Sequence, residues 1–246
     1  MRNEKLRKNI MLTNNMVNLT TLENDLVNII NEHWDNWVKS KKKDGHLNND
    51  FSFVDTGLPK EQKFYGLINR SYDSSNGTLW EKILYKISEA CNDETYSKDE
   101  ELVRNLKVHE KKWIVDLGFS RNGEHHIIEE KLGGQLDNKK SKIEKINLEE
   151  RKKVLEEIVG TEVNIHLGII TNQLTNKPET WNKSTVLNEF TRGNNLLIEK
   201  ELFDFVAGID GFFEWIKTQI QPKAMSKYIE VLDEYKTFVG FNETNN

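Results

Sequence analysis

The 246 residues carry 35 Lys and Arg against 40 Asp and Glu, a formal net charge of −5. That length suits a single domain, residues 1–246, and is enough to bury a large core. The single cysteine, Cys91, excludes an intrachain disulfide framework and predicts a reducing, cytoplasmic setting. No apolar run approaches a membrane span, and the charged, Asn-rich start lacks the apolar region of a signal peptide. The acidic balance argues mildly against nucleic acid as partner, since a basic domain is the usual footprint. A local basic patch would suffice, however, and metal-binding carboxylates themselves add negative charge.

In chain order, Thr20 and Glu23 offer a capping box. Leu22, Leu26, Ile29, Ile30, Trp34 and Trp37 then recur at helical spacing, predicting a helix over about 20–40 that ends in Lys41–Lys43. Residues 44–60 read as a long loop and close a helical N-terminal segment, 1–60. Ser74–Gly77 precedes a second amphipathic pattern through Cys91, with Glu81 in its first turn. A carboxylate there complements the helix N-terminus. Ser97 and Glu100 start a short helix through Leu106.

The stretch Trp113–Asn138 is the most informative. Two apolar runs flank Asn122-Gly123, the pair preferred by a type I′ turn because both positions need positive φ. With those two as the loop, Arg121 faces Glu124, and counting outward Asp116 faces Glu129. Opposed side chains in such a hairpin lie roughly 4.5–5.5 Å apart at Cβ. Lys131, two residues beyond Glu129, shares its face. Like charges directly opposed destabilise a hairpin unless something positive lies between them. A Mg²⁺ ion fits, since it takes carboxylate oxygens and keeps several waters; the alternative is a solvent-facing polar face with incidental charges. The other face carries Trp113, Val115, Leu117, Phe119 and Ile128.

Asp116, a gap, Glu129-Glu130-Lys131 and then a basic helix resemble the PD-(D/E)xK nuclease motif. The stretch Lys131–Lys140 (KLGGQLDNKK) and Leu197–Phe205 (LIEKELFDF) are similar to type II restriction endonucleases, near the TdeIII-like group. Val115 stands where that motif names a proline, and Glu130 occupies a middle position that is usually apolar. The resemblance spans Trp113 to about Asn172. It implies an α/β fold: a restriction-endonuclease-like mixed sheet flanked by helices, with a catalytic core over 74–206. It further implies Mg²⁺, with Mn²⁺ able to substitute, held by Asp116 and Glu129, with Lys131 orienting or helping to deprotonate the attacking water. Glu81 then reads as a further metal-site acid, in a Gly-x-x-x-Glu context from Gly77. Double-stranded DNA is the implied partner, cut to 5′-phosphate and 3′-hydroxyl ends by a homodimer. Only the register with Glu129 opposite Asp116 keeps two acids and the lysine together. Glu130 then falls on the apolar side, where it must lie at the sheet's edge, meet a basic partner, or ionise less readily.

Gly133-Gly134 ends the strand. Asp137 or Asn138 caps a helix bearing Lys139, Lys140, Lys142 and Lys145, which Asn147 and Glu150 could restart. Its basic run is either a solvated face or a grip on a phosphate backbone, with Gln135, Asn138, Lys139, Lys140 and Lys142 as candidate DNA contacts. Val154, Leu155, Ile158 and Val159 supply its buried face, and Gly160 terminates it. Val163–Thr171 reads as a strand, so strand, helix, strand makes a right-handed parallel crossover. Leu196–Ile198 forms a last short strand. Helices follow over Glu201–Val206 and Phe212–Ile220, and a final helix opens at Pro222 with Met225, Tyr228, Ile229, Leu232 and Phe238 on one side. This helical C-terminal segment spans 210–241, and the aromatic, helical ends of the chain, especially Phe212–Phe238, are the candidate dimer interface. His125 and His126 read as polar surface residues near the turn, and His33, His46, His109 and His166 show no zinc spacing. A repair or junction-resolving nuclease, or a non-catalytic α/β binding module, are the alternatives to restriction.

Overall fold

A computed structural model describes residues 17–44, 60–96, 107–108, 111–112, 116–133, 138–171 and 185–238. It divides into two compact units, with boundaries at Leu22/Glu23, Leu79/Trp80 and Trp215/Ile216. No helix among the described residues is long and apolar enough to cross a membrane.

The first two helices are α1 (Leu19–Asp44) and α2 (Lys60–Cys91). The N-cap of α1 is Asn18, whose Oδ1 accepts the backbone N–H groups of Thr20 and Thr21 at 3.1 Å each. The expected Thr20–Glu23 capping box gives way to this cap, and Glu23 pairs instead with Lys223 at 2.5 Å. Helix α2 runs straight through Ser74–Gly77, where the sequence predicted a helix start. Ser and Gly inside a helix each cost up to about 1 kcal/mol against Ala. Tertiary ties offset that cost, because Ser71 and Ser75 bond Trp37 and His33 of α1. Glu81 therefore sits deep inside α2 and not in its first turn.

Five strands form a mixed sheet in the order β1 (Glu94–Tyr96), β4 (Leu117–Arg121), β5 (Glu124–Gly133), β6 (Val163–Thr171), β7 (Leu196–Ile198). The first three are antiparallel; β5, β6 and β7 run parallel. A separate two-stranded ribbon pairs β2 (Lys107–Val108) with β3 (Lys111–Lys112). The predicted hairpin and parallel crossover are both present, the crossover being made by α3 (Asn138–Val159). Helix α3 is unbroken at Asn147 and stops at Gly160, whose φ of +72° and N–H bond to Glu156 O make the expected left-handed terminator.

Both sheet faces are covered. On one, Ile127, Leu167 and Ile169 pack with Leu148 and Leu155 of α3 and with Val186 and Phe190. Of the predicted apolar stripe on α3, Leu155 is buried and Val159 packs against this core, but Ile158 is exposed; the inward face repeats Ser141, Glu144, Leu148, Arg151, Leu155 at alternating three- and four-residue steps. On the other face lies α4 (Lys200–Ala207), whose Leu202 meets Gly168 so closely that a Cβ there would stand 3.0 Å from Leu202 Cδ1. Arg121 caps α4 from the hairpin, donating to Phe205 O at 2.8 Å and Val206 O at 2.6 Å. A guanidinium suits the negative end of a helix dipole.

His126, expected at the surface, is a correction as well, and it meets His166. Both are buried, with His126 Nδ1 3.3 Å from His166 Nε2 and Phe205 packed on both rings. Burial lowers both pKa values, that of His166 to about 4.

The chain leaves the first unit through α5 (Phe212–Trp215). A single π-turn, Ile216–Ile220, then leads without a break into α6 (Gln221–Phe238), so Pro222 lies inside a helical run just after the π-turn and does not open a separate helix. In the second unit, Trp34 stacks on Tyr72 (5.6 Å, 7°) and tilts against Tyr228 at 4.9 Å. Asp35 pairs with Lys227, and Lys42 with Glu234, seven residues further along both helices, so α1 and α6 run parallel. The buried side of α6 is Val231 and Tyr235, while Met225, Ile229 and Phe238 of the predicted stripe are exposed. The expected loop over 44–60 and the expected Ser97–Leu106 helix lie wholly or almost wholly outside the described residues, as do Trp113, Val115, Gly134 and Gln135.

Candidate active site

The turn of the β4–β5 hairpin has φ +53° at Asn122 and +80° at Gly123. Those values fix the pairing of Arg121 with Glu124, and the ladder runs back to Leu117 opposite Ile128. One step further, Asp116 stands at the position facing Glu129. Its Oδ2 accepts the backbone N–H of Glu130 at 2.9 Å. The carboxylate thus anchors to β5 at the point where β4 begins.

Glu129 is 7% exposed, which excludes the reading of a solvent-facing polar face. Its Oε1 lies 2.5 Å from Lys131 Nζ and its Oε2 lies 2.5 Å from Arg151 Nη1. Lys131 also meets Glu144 at 3.3 Å. The four side chains form an alternating row, Glu144, Lys131, Glu129, Arg151. Two come from one face of β5 and two from α3, seven residues apart and so on one helix face. Taking charges out of water is costly unless they are paired and hydrogen-bonded; here each charge has a partner of opposite sign.

The electrostatics follow from that row. Burial pushes the Glu129 carboxyl upward, but the hydrogen bond and charge of Lys131 and the charge of Arg151 outweigh it and hold it below the ordinary glutamate value. Burial works to lower Lys131, yet Glu129, Glu144 and Asp116 keep its ammonium above the ordinary lysine value. Lys131 is therefore a fixed positive charge at neutral pH. It suits orienting a water or stabilising an anionic transition state, and it is a poor proton acceptor.

Glu130 is 5% exposed on β5, an interior strand between β4 and β6, so the sheet-edge option is corrected. By strand alternation its side chain points to the face opposite Glu129, the face covered by α4. Glu81 is half-buried in α2. Among the described residues no three His, Cys, Asp or Glu side chains converge as a metal-holding group, so Glu81 is not gathered with Asp116 and Glu129. Asn138 is the first residue of α3, and Lys139, Lys140 and Lys142 are exposed. Lys145 turns to Glu189 at 3.8 Å.

Two neighbouring carboxylates are the hard oxygen donors that Mg²⁺ takes, one or two of them with waters completing the shell. The residues present fit such an ion, with Asp116 and Glu129 as its ligands, provided Lys131 cedes Glu129 Oε1 to it. Arg151 and Glu144 are the residues of this ion-paired row that the sequence did not disclose. Their signal was the step pattern from Ser141 to Leu155, obscured because two of its five positions are charged.

Comparison with protein-family models and with curated proteins finds no match to this chain.

Proposed function

We propose that the chain is a Mg²⁺-dependent type II restriction endonuclease of the PD-(D/E)xK superfamily, hydrolysing phosphodiester bonds of double-stranded DNA at a short specific site. The observation that carries this reading is the juxtaposition of Asp116, Glu129 and Lys131 at the mouth of an antiparallel hairpin. The hairpin leads through a helix into a parallel strand, the arrangement that the motif resemblance implies. A restriction-endonuclease-like fold, a homodimer able to cut both strands of a palindrome, and a cytoplasmic setting belong to the same proposal.

In this reading Asp116 and Glu129 hold the ion, and Mn²⁺ can replace Mg²⁺. The ion, when bound, lowers the pKa of a water and neutralises charge on the scissile phosphate. Lys131 steadies the attacking water and the charge that grows on the phosphoryl oxygens. Arg151 keeps Glu129 ionised and fixed while Lys131 moves from carboxylate to substrate. Lys139, Lys140 and Lys142, exposed on the first turn of α3, take DNA phosphates, as do Gln135 and Asn138.

A second reading has one observation in its favour. Lys131 and Arg151 already balance Glu129, so that carboxylate is accounted for without a metal, as in a non-catalytic α/β binding module. Incubation with supercoiled plasmid separates the two. Cleavage that needs Mg²⁺ and stops in EDTA supports the nuclease. An intact plasmid across Mg²⁺ and Mn²⁺ supports the module. A smear in place of discrete bands would point to a repair or junction-resolving nuclease.

A further inference from the structure

Within the second unit, a wide-open surface groove of about 580 Å³ lies between α1 and α2. That is the size of a small-ligand site. Its α2 wall is Ser71, Ser74, Ser75 and Thr78, spaced as one continuous helix face. A run of hydroxyls inside a helix is unfavourable for the helix itself, because such side chains compete for backbone hydrogen bonds. The α1 wall contributes His33, Trp37 and Lys41. Among the described residues, no Asp or Glu lines the groove.

The hydrogen bonds orient these groups. Trp37 Nε1 donates to Ser71 Oγ at 3.0 Å, which leaves the Ser71 O–H to donate into the groove. His33 Nε2 lies 2.8 Å from Ser75 Oγ. When that ring nitrogen carries the proton, the Ser75 O–H is released to the groove in the same way. Lys41 adds a full positive charge at the open end. Thr78 Oγ1 donates to Ser74 O at 3.4 Å, so the Ser71 and Ser75 O–H groups are the donors that, with the Lys41 cation, make a site for an oxyanion. The volume leaves room for more than the anion alone.

We propose that the α1–α2 groove is a phosphate-binding site, taking the phosphate of a nucleotide or of a DNA backbone. It does not rest on the nuclease reading, which concerns the other unit. The test is NMR titration of the full-length protein with inorganic phosphate, with a nucleoside monophosphate, and with a short DNA duplex in EDTA. The expected result is saturable shifts at Ser71, Ser75 and Lys41, with affinity at least tenfold lower in Lys41→Glu and in Ser75→Ala. Lys41 is half-exposed near the end of α1, so its variant reports even if the serine change perturbs folding. Competition by the duplex at these residues assigns the groove to the DNA backbone; binding of the small phosphates alone assigns it to a free phosphate ester. The absence of saturable shifts with all three probes, or binding unaltered in both variants, would overturn the proposal.

Discussion

Arg151 Nη1 lies 2.5 Å from Glu129 Oε2 across the interface between α3 and β5. Both side chains are largely buried, so each protects the other from the cost of an unpaired charge. Arg151→Ala should lower stability by about 2 kcal/mol in urea unfolding at neutral pH, the scale of a hydrogen bond to a charged group. A cycle with Glu129→Gln should show coupling of about 1 kcal/mol or more, and strict additivity would mean that the pair contributes nothing. Glu129 has a depressed pKa, so its contribution is complete above the ordinary value of 4.5 and fades as pH falls through the lower folded value.

The buried histidines give a second pH window. His166 has an ordinary value of 6.5 and a folded value of about 4. Between these the unfolded chain binds the extra proton, so stability rises with pH across the window and is lost on acidification. One such group contributes a slope of about 1.4 kcal/mol per pH unit. Unfolding measured from pH 4 to 7 should show this slope, and His166→Gln should reduce it. An unchanged slope in the variant would place the titration elsewhere.

Two glycines should respond in opposite directions. Gly77 lies inside α2 with no atom within 4 Å of a Cβ built on it, so Gly77→Ala should raise stability by about 1 kcal/mol. A Cβ at Gly168 would stand 2.9 Å from Ile128 Cγ2, so Gly168→Ala should destabilise by about 1–3 kcal/mol. Thermal unfolding of the pair checks both. A loss of stability in Gly77→Ala would restore a helix start at that residue.

What the sequence disclosed depended on how local the signal was. Asn122-Gly123 demands one turn type, and that turn alone sets the register that brings Glu129 opposite Asp116. The β5–α3–β6 crossover was legible because its apolar strand and terminating Gly160 are contiguous. Arg151 was not, since its role depends on which face of α3 meets the sheet, and Leu148 and Leu155 decide that through packing. Helix α2 was misjudged at Ser74–Gly77 because the bonds from Trp37 and His33 come from α1, more than thirty residues away. His126 and His166 lie forty residues apart and meet only when β5 and β6 pair.

The two adjacent glutamates should separate in function. Glu129 shares its face with Lys131, and Glu130 faces the other way. In cleavage assays with folded protein, Glu129→Gln and Asp116→Asn should each abolish activity while sparing DNA binding. Glu130→Gln should retain substantial activity. The reverse pattern would mean that Glu130 is the ligand and that the strand shifts on binding.

Digestion of a sequenced plasmid with the wild-type protein and with Glu129→Gln, each in Mg²⁺ and in EDTA, with the ends mapped, decides whether this site is a nuclease centre. A nuclease centre gives discrete fragments from the wild type in Mg²⁺ alone, with every terminus at one short sequence, and an uncut plasmid with Glu129→Gln. Equal cutting by Glu129→Gln, undiminished cutting in EDTA, or no cutting by the wild type in any divalent metal would contradict that reading.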